Sequence, residues 1–177
     1  MAIAEVLIIE PTVYRDDRGF LFEAFNLAEF EAKTAVARPW VQDNHSQSVA
    51  GVLRGIHFQN PTPQGKLVRC VAGAIWDVAV DLRRSSPTFG RWVGEELSAE
   101  NKLQLWIPEG FGHGFVVLGE VVAEVVYKTT APYVADADRA VRWDDPTLAI
   151  EWPIDLAPLI SAKDAAAPLL ADADLFD

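Results

Sequence analysis

The sequence predicts an all-β domain, a sandwich or a barrel, and three observations carry that reading. Short apolar or alternating runs recur between turn signals, as strands joined by tight connections do. Glycines and prolines, among them Gly51, Gly73, Gly90, Gly119, Pro61, Pro63, Pro87 and Pro108, fall between those runs. A helical period shows only around Leu27 to Lys33 and near the C-terminus, which predicts short peripheral helices. The clearest strand is Ile75 to Leu82: Trp76, Val78, Val80 and Leu82 fall on one face, and Asp77, Ala79 and Asp81 on the other. The first face reads as core and the second as one that can be polar. Jelly rolls and up-and-down barrels both satisfy this rhythm, and either can enclose a pocket.

A chain of 177 residues, half of them apolar, can bury one sizeable core, and no stretch reads as a linker, so a single domain over 1–177 is expected. The net charge of -11 argues against a nucleic-acid binder, which needs a basic surface to displace counterions. It does not argue against a nucleotide, because two or three placed cations hold a diphosphate whatever the total charge. Cys70 is the one cysteine, so neither an intrachain disulfide nor a cysteine cluster for zinc is available. Met1 to Glu10 lacks the pattern of a signal peptide, and no run of about 18 uncharged apolar residues occurs. A cytoplasmic protein with no membrane partner is expected.

The segment Gln42 to Gln59, QDNHSQSVAGVLRGIHFQ, gathers amides, hydroxyls, Arg54, His45 and His57 on two strand-like runs. A core strand avoids such residues because burying them unpaired is costly, so their density fits a pocket wall. Arg54 and His57, three apart, point to opposite faces of a regular strand and converge only if Gly55 marks a bulge or bend. His113, in IPEGFGHGF, stands in a second glycine-rich polar motif. A cupin metal site would need an HxH pair, a nearby carboxylate and a later histidine. PEGFGH resembles the later motif, but His57 is followed by Phe58 and Gln59, and only His45 could substitute. GxSxG, P-loop and GxGxxG fingerprints are missing. Cofactor-free acid–base chemistry remains, which needs a tuned base, an opposed acid and a cation for the enolate oxygen. His57, Tyr127, and Lys66 with Arg54 could supply these parts.

Ordered motifs then point to a family. DDRGFLFEAFN (Asp16 to Asn26), VQDNHSQS (Val41 to Ser48), GVLRGIHFQ (Gly51 to Gln59), QGKLVRCVAG (Gln64 to Gly73), WDVAVDLRRSSPTFGRWVG (Trp76 to Gly94), LSAENKLQLWIPEGFGHGFVVL (Leu97 to Leu118), VYKTT (Val126 to Thr130) and LISAKDAAAPLL (Leu159 to Leu170) together resemble the dTDP-4-dehydrorhamnose 3,5-epimerases over nearly the whole chain. The resemblance implies a cupin-type jelly roll, a homodimer with an exchanged N-terminal strand, and no metal or cofactor. The implied substrate is dTDP-4-dehydro-6-deoxyglucose, inverted at C3 and C5 on either side of its C4 ketone. It also implies roles: His57 as base with Asp164 as its carboxylate partner, Tyr127 as the opposed acid, and Lys66 as the cation beside the enolate.

By the same match Arg54, Gln42 and Asn44 face the diphosphate and sugar, and His113 is a further donor. Arg18 and Glu23 reach the nucleotide from the neighbouring subunit, and Tyr133 stacks on thymine. Asp138 and Lys163 fall at weaker contacts, while Asp77 and Glu109 are taken as structural. The chain departs from the family's pattern at Gly112, usually Ala, at Ala131-Pro132 before Tyr133, and at Asp138, Glu in some relatives. Three alternatives stay open: a paralogue acting at one carbon, a binding protein without turnover, and a metal-dependent cupin oxygenase.

Overall fold

The computed structural model describes residues 2–177. In chain order the elements are β1 (Leu7–Ile9), β2 (Tyr14–Asp16), β3 (Gly19–Leu21), α1 (Leu27–Thr34), β4 (Gln42–Ser48), β5 (Leu53–Gln59), β6 (Lys66–Ala72), β7 (Ala74–Asp81), β8 (Trp92–Ser98), β9 (Gln104–Ile107), β10 (Phe111–Val117), β11 (Ala123–Thr129), β12 (Asp138–Ala140) and α2 (Ala162–Ala165). Two five-stranded antiparallel sheets, ordered β1-β9-β6-β11-β4 and β12-β5-β10-β7-β8, face each other, and β2 and β3 form a separate hairpin. This is a jelly roll: from β4 to β12 the chain crosses between the two layers at each step except β7 to β8, which pair within one sheet.

The core between the sheets takes Val68 and Cys70 of β6, Leu105 and Ile107 of β9 and Val125 of β11 from one layer. The other layer supplies Ile75 and Ala79 of β7, Leu97 of β8, and Phe111 and Phe115 of β10. A second cluster lies on the outer face of the β7 sheet: Val78, Val80 and Leu82, with Trp76 at its edge, pack under Leu148, Leu170 and Leu175 of the C-terminal segment. The alternation predicted for Ile75 to Leu82 is therefore present, but both of its faces are buried. The face bearing Asp77 and Ala79 looks into the jelly roll, and the more apolar face is covered from outside. The structure corrects the expectation of a single core-facing side, because the covering segment lies some 70 residues further on and leaves no mark on the local period.

The helix α1 forms where expected. Asn26 caps it, Oδ1 accepting the Glu29 N–H at 3.3 Å, and Ala35 ends it in the left-handed region at φ 58°. Its buried Phe30 packs edge-on against Trp40 and Trp106, with ring centroids 5.3 and 5.6 Å away, covering the outer face of β6 and β9. Near the C-terminus the helical period yields only the single turn of α2 and a 3-10 turn at Leu170–Asp172. Among the described residues no helix is long and apolar enough to cross a membrane.

Candidate active site

The register places alternate residues of β4 against the interior. Gln42 lies opposite Thr129, Asn44 opposite Tyr127 and Ser46 opposite Val125, whereas Asp43, His45 and Gln47 are exposed. The polar density of this strand thus has two causes, a lining face and a solvent face. His45 belongs to the second, with Nε2 3.0 Å from Glu124 on the outside of the sheet. It does not join the other histidines, as the metal alternative required. Across β11, Tyr127 lies opposite Val68 and Thr129 opposite Lys66, so Tyr127, Lys66, Gln42 and Asn44 share one wall.

The opposing wall depends on a bulge. His57 pairs with His113 and Arg54 with Phe115, so three steps along β5 match two along β10. Gly55 makes this possible: its φ is +134°, and a Cβ there would lie 2.5 Å from Gly114 Cα. The extra residue brings Arg54 and His57 to one cavity, which fulfils the condition stated for their convergence. Gly55→Ala is expected to cost about 1–3 kcal/mol through the forbidden backbone conformation alone, and to separate Arg54 from His57; denaturant unfolding with parallel activity assays checks both. At Gly112 a Cβ would lie 2.4 Å from Ile56 Cγ2 and 2.8 Å from Leu82 Cδ1, so glycine at this position fits the bulk of those two neighbours.

His57 Nε2 lies 2.6 Å from Asp164 Oδ1. The carboxylate is delivered by the C-terminal segment, where Leu159 bonds to Gly51 and Leu53 on either side of β5's start, at 2.9 and 3.0 Å, and the Ser161 hydroxyl caps α2 by accepting the Asp164 N–H. Burial works to raise the Asp164 carboxyl, but the hydrogen bond and charge of His57, with Ser161 and the Gly55 backbone, outweigh it and hold it below the ordinary value. Asp164 is therefore ionised at neutral pH beside His57. On the same wall His113 Nε2 lies 3.0 and 3.1 Å from the oxygens of Asp77, which has no exposed surface.

Lys66 is 7% exposed. Burial pulls its ammonium down to about 8, against the charges of Asp77 and Asp138, which favour the protonated form. Asp77, read from the sequence as structural, lies on the face expected only to tolerate polarity, where it holds His113 and lends its charge to Lys66. Tyr127 lies with its ring centroid 6.4 Å from that of His113. Burial, opposed by the charge of Arg54, raises its phenol, which keeps the proton at neutral pH. Arg54 reaches across to the first sheet, donating from Nε to Ser48 Oγ at 2.9 Å.

Further along the rim, the Tyr133 hydroxyl donates to Asp138 Oδ2 at 3.1 Å, and Lys163 Nζ is paired with the same oxygen. Lys163, Arg54, His57 and Asp164 line one cavity of about 400 Å³. A second cavity, about 440 Å³, lies outside the first sheet among Leu7, Glu23, Phe30 and Lys33, with none of the histidines in its wall. The His57–Asp164 dyad lines the former. Arg18 and Glu23 are not brought to it within one chain: Arg18 is exposed on the β2–β3 hairpin, bonded to Asp16, and Glu23 lines the outer cavity. Glu109 accepts from Arg38 and Thr130, consistent with a structural role.

A carboxylate-oriented histidine, a protonated tyrosine on the facing sheet and a buried lysine on the tyrosine's wall define a proton-transfer enzyme on a jelly-roll scaffold. The family model for dTDP-4-dehydrorhamnose 3,5-epimerase matches residues 1–172. The chain is 56% identical over 176 residues to the dTDP-4-dehydrorhamnose 3,5-epimerase of Pseudomonas aeruginosa, covering 99% of this chain and 97% of that one. It superposes on the dTDP-6-deoxy-D-glucose-3,5-epimerase of Legionella pneumophila, solved in complex with dTDP-4-keto-L-rhamnose, with a TM-score of 0.94, 49% identity and coverage of 97% and 90%. A 3'-monoepimerase of Streptomyces bikiniensis, in complex with dTDP-quinovose, matches with a TM-score of 0.88 at 38% identity, covering 94% and 84%. The chain belongs to the dTDP-4-dehydrorhamnose 3,5-epimerase family.

Proposed function

We propose that the chain, working as one catalytic domain over residues 1–177 in the cytoplasm, converts dTDP-4-dehydro-6-deoxy-D-glucose to dTDP-4-dehydro-L-rhamnose for L-rhamnose synthesis. The observation that carries the reading is that His57 with Asp164 and the free hydroxyl of Tyr127 rise from opposite sheets, with Lys66 on the same wall as Tyr127. The C4 ketone acidifies the hydrogens at C3 and C5. His57 takes one of them, Asp164 stabilises the imidazolium that results, and Lys66 faces the enolate oxygen. Tyr127 returns a proton to the other face, so the centre inverts. Each inversion leaves a proton on His57 and removes one from Tyr127, and exchange with solvent through the open cavity resets both before the second.

Arg54, Gln42 and Asn44 hold the diphosphate and sugar, with His113 as a further donor. Tyr133 stacks on the base, and Asp138 and Lys163 flank it. In a homodimer the β2–β3 hairpin, which exposes Tyr14, Phe20 and Leu21, is exchanged and carries Arg18 and Glu23 to the neighbouring site. The ligand described for the Legionella relative supports the choice of substrate. Incubation with the substrate in heavy water, with a ketoreductase to trap the product, tests the reading. Deuterium at both C3 and C5 of an L-rhamno product is expected. Label at one carbon assigns the chain to the monoepimerases, and no label leaves a binding protein.

A further inference from the structure

The loop Ala131–Val134, which carries Tyr133, has no strand partner, yet its backbone is bonded almost throughout by glutamine side chains from three separate places in the chain. Gln64 Nε2 donates to Ala131 O at 2.8 Å, and Gln59 Nε2 donates to Pro132 O at 3.1 Å. The Tyr133 N–H donates to Gln42 Oε1 at 2.9 Å, and the Val134 N–H donates to Gln59 Oε1 at 2.7 Å. The remaining N–H of Gln59 goes to Thr62 O at 3.0 Å, so both of its donors and its oxygen are engaged and the amide can sit only one way round. Gln59 and Gln64 are 3% and 8% exposed, and amides this deep are kept only when bonded.

Tyr133 is the contrast: the residue is 56% exposed although both of its ends are tied, the N–H to Gln42 and the hydroxyl to Asp138. An aromatic ring held in the open with its backbone immobilised is a preformed surface, and preformed surfaces bind more tightly because less freedom is lost on association.

We infer that Gln59, with Gln64, is a positioning residue that fixes the Tyr133 loop as a rigid platform for the planar ring of the bound nucleotide. The inference rests on the reading of Tyr133 as the stacking aromatic. Gln59 also stands two residues from His57 on the same face of β5, so one strand sets the distance from platform to base. Gln59→Glu keeps an acceptor for the Val134 N–H but turns carboxylate oxygens toward two carbonyls, and it is expected to act like Gln59→Leu.

The test is a double-mutant cycle on the full chain, reading Kd for dTDP by calorimetry together with kcat and KM. Gln59→Leu is expected to raise the Kd for dTDP and the KM by about tenfold, with kcat within about twofold of the parent. In a Tyr133→Ala background the same change is expected to alter Kd by less than about twofold, because the glutamine acts through the tyrosine. If Gln59→Leu fails to fold, Gln59→Glu and the single-bond loss Gln64→Met give the same readout. Multiplying effects in the double variant, or a fall in kcat with dTDP affinity unchanged, would overturn the inference while leaving Tyr133 as the platform. A Tyr133→Ala variant that binds dTDP normally would overturn both.

Discussion

Replacing His57 with alanine is expected to lower kcat by between about 10²- and 10⁴-fold, the usual contribution of a positioned general base. The argument rests on placement. Asp164, ionised and 2.6 Å away, fixes one ring nitrogen, which leaves the other to meet the substrate. Nothing else on that wall can replace it: His113 is occupied by the buried Asp77, and Arg54 cannot accept a proton. Because both inversions draw on the same base, exchange of deuterium at C3 and at C5 should fall together, with dTDP affinity little changed. NMR of the substrate in heavy water checks this, and loss of exchange at only one carbon would assign the other to a different base.

The second large effect is expected at Lys66. Lys66→Met should cost about 10²- to 10³-fold in kcat, the scale measured for removing one preorganised partner of an oxyanion. It also carries a pH signature. The ammonium is the active form, and burial brings it down to about 8, so kcat/KM of the free enzyme is expected to fall as pH rises through that value. Once substrate is bound, the C4 carbonyl oxygen accepts from the ammonium and favours its proton, so the corresponding limb in kcat should lie at higher pH. Lys66→Met should abolish the limb near 8 altogether. A parent profile flat to pH 10, or a variant that keeps the limb, would assign that ionisation elsewhere.

How much of this was legible in the sequence differs from residue to residue. The strand around Trp76 to Asp81 announces itself by alternation, but which face is the inner one depends on a C-terminal segment whose packing no local period records. The convergence of Arg54 and His57 was legible as a condition on Gly55, because a spacing of three cannot share a face without an extra residue. The pairing of His57 with a carboxylate 107 residues away follows from no spacing rule, and only the family resemblance singled out Asp164. Asp77 was legible as structural, but its partner His113 was not, because a carboxylate in a strand reads as solvent-facing until the opposing sheet is seen to cover it. The same holds for Gln59 and Gln64, whose partners are backbone groups of a distant loop.

The most direct test of the two-sided site is Tyr127→Phe in heavy water. With His57 intact and the opposed donor gone, deuterium should still enter at the acidic carbons while the configuration there is retained, because the only route for reprotonation is back from the face of abstraction. Exchange without inversion, read by NMR of the trapped product, is the predicted result; inversion at the parent rate by the phenylalanine variant would contradict the assignment of base and acid to opposite sheets.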